Sequence, residues 1–126
     1  MKSFIAAIVI FIGLIAGGFF SVWHIENIAD DMSERNERIT KAVEEEDFET
    51  AKKEVSGLSD YVEDKKAVLS STMDHSYVDN IEMNICELER YVDGEVKYDS
   101  LAKCEVLHML FEHLPKNYKL KPENIF

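Results

Sequence analysis

The sequence predicts an all-α protein, with an N-terminal transmembrane helix followed by an antiparallel four-helix bundle or tetratricopeptide-like helical hairpins. Three observations lead there. Phe4 to Trp23 is a run of twenty residues without a charge, and as a helix it is about 30 Å long, the thickness of a bilayer's hydrocarbon core. Beyond it, apolar residues recur at intervals of three and four, the period of a helix with one buried face. Both prolines, Pro115 and Pro122, lie near the end, so nothing between them and the span forces a helix to break. No stretch alternates long enough to read as a strand.

Residues 1–23 form the first unit. A secretory signal has a basic start, a short apolar middle and a small-residue cleavage site. Lys2 and Ala16-Gly17-Gly18 fit that pattern, but Phe19, Phe20, Val22 and Trp23 carry the apolar run past the small residues. An uncleaved signal-anchor is the better fit, with Trp23 at the interfacial depth that aromatic side chains favour. Lys2 is the only charged side chain before the span, and the far flank carries Glu26, Asp30 and Asp31 without a Lys or Arg. The cationic flank tends to stay in the cytoplasm. This places the N-terminus inside, residues 4–23 in the bilayer of the cell membrane, and residues 24–126 outside. Gly13, Gly17 and Ser21 recur every fourth residue on one face, the spacing that lets two membrane helices approach closely.

Residues 24–126 form an acidic helical domain. The chain carries 14 basic and 25 acidic side chains, a net charge of −11. Only Lys2 lies in the first 23 residues, which leaves 13 basic against 25 acidic beyond, or −12. Such a surface repels phosphates, so nucleic acid is not an expected partner. A hundred residues are enough to bury a core without metal or several disulfides.

The first helix is expected over 25–46, with Ile25, Ile28, Ala29, Met32, Ile39 and Val43 on its stripe and Arg35 to Arg38 interrupting it. Without Gly or Pro at the junction, it can continue the span as one rod. Asp47 is a candidate cap for a helix over 48–72, whose stripe is Ala51, Val55, Leu58, Val62 and Leu69, with Gly57 as a weak point. Asp74 or Ser76 caps a helix over 76–93 with Val78, Ile81, Ile85, Leu88 and Val92 inside, stopped at Gly94. Asp99 or Ser100 starts the last helix, 99–114, with Leu101, Cys104, Leu107, Leu110 and Phe111 inward. The tail, 115–126, is irregular, and Leu120, Ile125 and Phe126 suggest that it packs back on the helices.

Cys86 and Cys104 lie nine residues either side of Glu95, in the last turn. An antiparallel hairpin sets them level, so a disulfide and two free thiols are both open. His75, Asp79 and Glu82 share a helix face, as do His108 and Glu112 with His113 beside them, which is the donor chemistry of a cation site. Capped helix starts and solvated faces explain the same residues. No phosphate loop, zinc-protease motif, nucleophile elbow or Cys-x-x-Cys pair occurs. No catalytic residue, cofactor or metal is assigned.

Met73-Asp-His-Ser-Tyr-Val-Asp-Asn-Ile-Glu82 with Leu88-Glu-Arg-Tyr-Val92, and Leu110-Phe-Glu-His-Leu-Pro115 with Leu120 and Glu123-Asn-Ile-Phe126, resemble an uncharacterised bacterial family classed as a domain of unknown function. The resemblance implies a small single-span membrane protein with a helical soluble domain and no known reaction. It gives no support for pairing the cysteines. The expected function is therefore non-enzymatic: a membrane-anchored scaffold that engages a membrane protein or a second copy of itself. The alternative is an extracytoplasmic sensor of a cation or small ligand, using His75, Asp79, Glu82 or His108.

Overall fold

The computed structural model describes residues 1–114, apart from the side chains of Ser21 and Val22. Four helices follow in order: α1 (Lys2–Glu44), α2 (Phe48–Thr72), α3 (His75–Asp93) and α4 (Lys97–Glu112). Each packs against two neighbours, α1 on α2 and α4, and α3 on α2 and α4. The return of α4 to α1 closes the ring. That closure makes a compact up-down bundle, where stacked tetratricopeptide-like hairpins would leave α1 and α4 apart.

Helix α1 is a single rod of 43 residues, about 65 Å long at the helical rise. Its two halves face different surroundings. From Phe4 to Phe20, and again at Trp23, the large apolar side chains are exposed, and the helix is long and apolar enough to cross a membrane. From Ile25 the stripe turns inward, and Ile25, Ile28, Ala29, Met32, Ile39, Ala42 and Val43 are buried. The expected interruption between Arg35 and Arg38 does not break the helix. Asn36 occupies the core-facing position there, while Arg38 swings out to Glu54, 3.2 Å away.

The α2 and α3 stripes are buried at every position the spacing assigned, joined by Asn84 on α3. On α4 the buried residues are Ser100, Cys104, Leu107 and Phe111, while Leu101 and Leu110 are only partly covered. Asp47 caps α2 as expected, accepting from the Thr50 amide at 3.2 Å and from its hydroxyl at 2.7 Å. Asp74 occupies the N-cap of α3 but makes no side-chain cap bond.

The last helix starts two residues before the expected position. The reason is the turn. After α1 the Glu46 amide donates to Val43 and the Asp47 amide to Ala42; after α3 the Glu95 amide donates to Val92 and the Val96 amide to Tyr91. Both are Schellman turns, with a glutamate in the left-handed position: Glu46 at φ 58° and Glu95 at φ 56°. Gly94 stops α3 as expected but sits one residue earlier, at φ −81°. So tight a turn leaves Val96 as the N-cap, and Ser100 falls inside the helix with its hydroxyl donating to the Val96 carbonyl at 2.6 Å.

The pairs Asp31–Tyr61 and Arg38–Glu54 set the register of α2 against α1. The two Schellman turns therefore share the end of the bundle far from the apolar rod. There they are tied crosswise by Lys97 to Glu46 at 3.6 Å and Lys52 to Glu95 at 4.0 Å. The α2–α3 turn and the end of α4 lie at the opposite end, near the rod. The expected tail packing of Leu120, Ile125 and Phe126 lies outside the described residues.

Candidate functional site

The polar feature inside the bundle is a seam between α1 and α4. Asn36 follows Met32 by four residues and precedes Ile39 by three, so helix geometry aims it at the core. It is 2% exposed. Its Nδ2 donates to the Cys104 carbonyl at 2.8 Å, and its own carbonyl accepts from the Thr40 hydroxyl at 2.9 Å. Its side-chain oxygen is buried and accepts nothing among the described residues. A buried acceptor left unsatisfied costs about 1–3 kcal/mol, so this atom favours any donor that reaches it. A cleft of about 260 Å³ opens along the seam, bordered by Asn36, Thr40, Lys41, Glu44, Glu105 and His108.

Cys104 forms part of this wall. Burial pushes its thiol pKa up, against a smaller opposing effect of Thr40. It stays protonated and unreactive at neutral pH. Cys86 instead borders the α2–α3 seam with Ser59, Val62 and Glu63, and is exposed. Of the two states left open for the cysteines, the structure has the free thiols, with no bond between Cys86 and Cys104. The hairpin does set them at similar heights, as Lys103 reaching Asn84 and Glu87 indicates. They face opposite seams of the bundle, which the residue count could not reveal.

A second polar cluster lies across α1 and α2. The Tyr61 hydroxyl donates to Asp31 at 2.9 Å, and the Arg35 guanidinium lies 4.7 Å from the Tyr61 ring centroid. Lys65 is 5.7 Å from the same ring. Burial raises the Tyr61 pKa, and the bond to Asp31 adds to it. Tyr61 is thus a fixed neutral donor tying the two helices close to the apolar rod.

The candidate cation ligands do not converge. His75 and Asp79 are exposed at the start of α3, while Glu82 is 3.2 Å from Lys66 on α2. That carboxylate raises the Lys66 pKa. His108 Nε2 lies 3.5 Å from Glu112 on the same helix. Among the described residues no three His, Cys, Asp or Glu side chains come together as a metal site. In the apolar rod, a Cβ added at Gly13 or Gly17 meets nothing within 4 Å. Ser21 continues the spacing, with a side chain outside the described ones. Where the rod joins the bundle, the Phe20 and His24 rings stack at 6.0 Å and Phe20 meets Trp23 at 6.0 Å.

Residues 19–125 match the family described as Domain of unknown function (DUF4363). The chain belongs to that family. The DUF4363 match begins at Phe19, inside the apolar run, so it includes the junction as well as the bundle, and it continues through the tail to Ile125. No curated protein matches the chain, and no solved structure does. Asn36 is the site residue that sequence reading passed over. Its position in the helical phase between Met32 and Ile39 was the available signal.

Proposed function

We propose that this DUF4363 protein is a non-enzymatic, single-span bacterial membrane protein whose helical bundle engages a membrane-protein partner or a second copy. Residues 4–23 lie in the bilayer, the N-terminus is cytoplasmic, and residues 24–126 stand outside. The observation that supports this best is the continuity of α1, whose exposed apolar half runs without a break into a half that forms one wall of the bundle core. A flexible tether would let the bundle move freely. A continuous helix instead fixes its height and orientation above the membrane, as a docking module requires. Gly13 and Gly17 offer a face for close contact inside the bilayer.

The test is crosslinking of the full chain in native membranes, followed by sedimentation in mild detergent, with and without Gly13→Ile and Gly17→Ile. The expected result is a defined complex that the substitutions weaken. Monomer alone in every sample, with no membrane protein crosslinked, overturns the reading.

A second reading is an extracytoplasmic small-ligand sensor, and one observation favours it: the unsatisfied Asn36 oxygen beside the α1–α4 cleft. Cations are the less favoured ligands, given the dispersal of His75, Asp79, Glu82 and His108. Calorimetry of the full chain with calcium, zinc and manganese tests the metal version, and absence of heat removes it.

A further inference from the structure

The wall of the α1–α4 cleft holds an acceptor with no donor, and its orientation is fixed. Asn36 Nδ2 donates to the Cys104 carbonyl at 2.8 Å. Exchanging the amide oxygen and nitrogen would set two acceptors against each other, so the oxygen must stay where it is. The side chain is 2% exposed, and the oxygen accepts nothing among the described residues.

The surroundings decide which donor suits it. Glu37 and Glu44 on α1 and Glu105 on α4 border the cleft, three carboxylates against the one lysine there, Lys41. Among the described residues none of the three carboxylates forms an ion pair. A buried acceptor below such a rim matches a ligand that is both a positive charge and a hydrogen-bond donor. An anion is repelled by the carboxylates, and a quaternary ammonium has no N–H to give. A metal ion needs several ligands around one point, and no such group forms among the described residues. An ammonium needs only an acceptor for an N–H and the field of the rim. Size narrows the class further. At roughly 30 Å³ for each water-sized group, the cleft of about 260 Å³ holds on the order of eight non-hydrogen atoms.

We propose that the α1–α4 cleft binds a small aliphatic amine in its ammonium form, with an N–H donating to Asn36 Oδ1 and the charge facing Glu37, Glu44 and Glu105. This rests on the small-ligand reading of the bundle and names the class of ligand. The oxygen is sealed from water in this packing, so entry shifts the half-buried Thr40, Leu101 and His108 side chains.

The test is isothermal titration calorimetry of the full chain in a nonionic detergent. The probes are ethanolamine, butylamine, tetramethylammonium, ethylene glycol and acetate. The expected result is one-site binding of the two amines and no heat from the others. Asn36→Leu is expected to weaken the amines at least about tenfold, the loss of one charge-assisted hydrogen bond. Glu37→Gln with Glu105→Gln should weaken them as well. Heat from ethylene glycol or acetate that Asn36→Leu abolishes overturns the amine assignment and leaves the small-ligand reading standing. Tetramethylammonium bound as tightly as the amines, or amine binding that every substitution leaves unchanged, overturns the site. Heat from none of the probes overturns the proposal and the small-ligand reading together. Should Asn36→Leu fail to fold, the paired glutamine substitutions, on the exposed rim, decide alone.

Discussion

Glu46 and Glu95 occupy left-handed backbone in equivalent turns. A side chain with a Cβ is disfavoured there by roughly 1–2 kcal/mol, and glycine is not. Each makes one exposed ion pair across the end of the bundle, a contact of little energetic weight. Glu95→Gly is therefore expected to stabilise the bundle by about 0.5–1 kcal/mol, visible as a higher midpoint in urea unfolding of the detergent-solubilised chain. Asp47 works in the other direction. Its hydrogen bonds from the Thr50 hydroxyl and amide hold its carboxyl below the usual value of 3.8. A depressed folded-state pKa contributes stability that is present above the unfolded pKa and is lost as pH falls through the folded one. Asp47→Ala should lower the thermal midpoint at pH 7, and the gap from the parent should close as the pH is taken below 3.8. At this scale the sequence showed the Asp47 cap, because a cap is a local event. It concealed Asn36 and the facing of Cys86, because both depend on which neighbouring helix is met.

At the scale of the helix, Gly57 is informative. It lies inside α2, and a Cβ there meets only the Arg35 Nη1 at 3.5 Å, an ordinary contact with the end of a flexible side chain. No close backbone approach requires glycine. Gly57→Ala is accordingly expected to raise stability by about 0.5–1 kcal/mol through helix propensity, again read in urea. A loss of stability would mean that the stacking of Arg35 on Tyr61 cannot adjust. The stripes of α2 and α3 were legible because a helix with one buried face repeats its apolar residues at a fixed period. The start of α4 was not, since it is set by the turn before it: Glu95 takes the left-handed position, and neither Asp99 nor Ser100 caps the helix. The rod formed by α1 was legible from the absence of Gly and Pro near Trp23 and His24.

At the scale of the whole molecule, the closed ring of four helices follows from connections too short for anything but antiparallel neighbours. Closure rather than stacking was not written in any one segment, because it rests on the contact between α1 and α4. The apolar half of α1 is long and apolar enough to cross a membrane, and the proposed reading mounts the acidic bundle on it. The exposed Cys86 and the buried Cys104 provide a direct test. Cells producing the full chain are treated with a membrane-impermeant maleimide, before and after permeabilisation, and the membrane fraction is then examined. The account predicts a membrane-bound chain labelled once, at Cys86, in intact cells and without prior reduction. Labelling of Cys86 only after permeabilisation, or recovery of the chain in the soluble fraction, would contradict it.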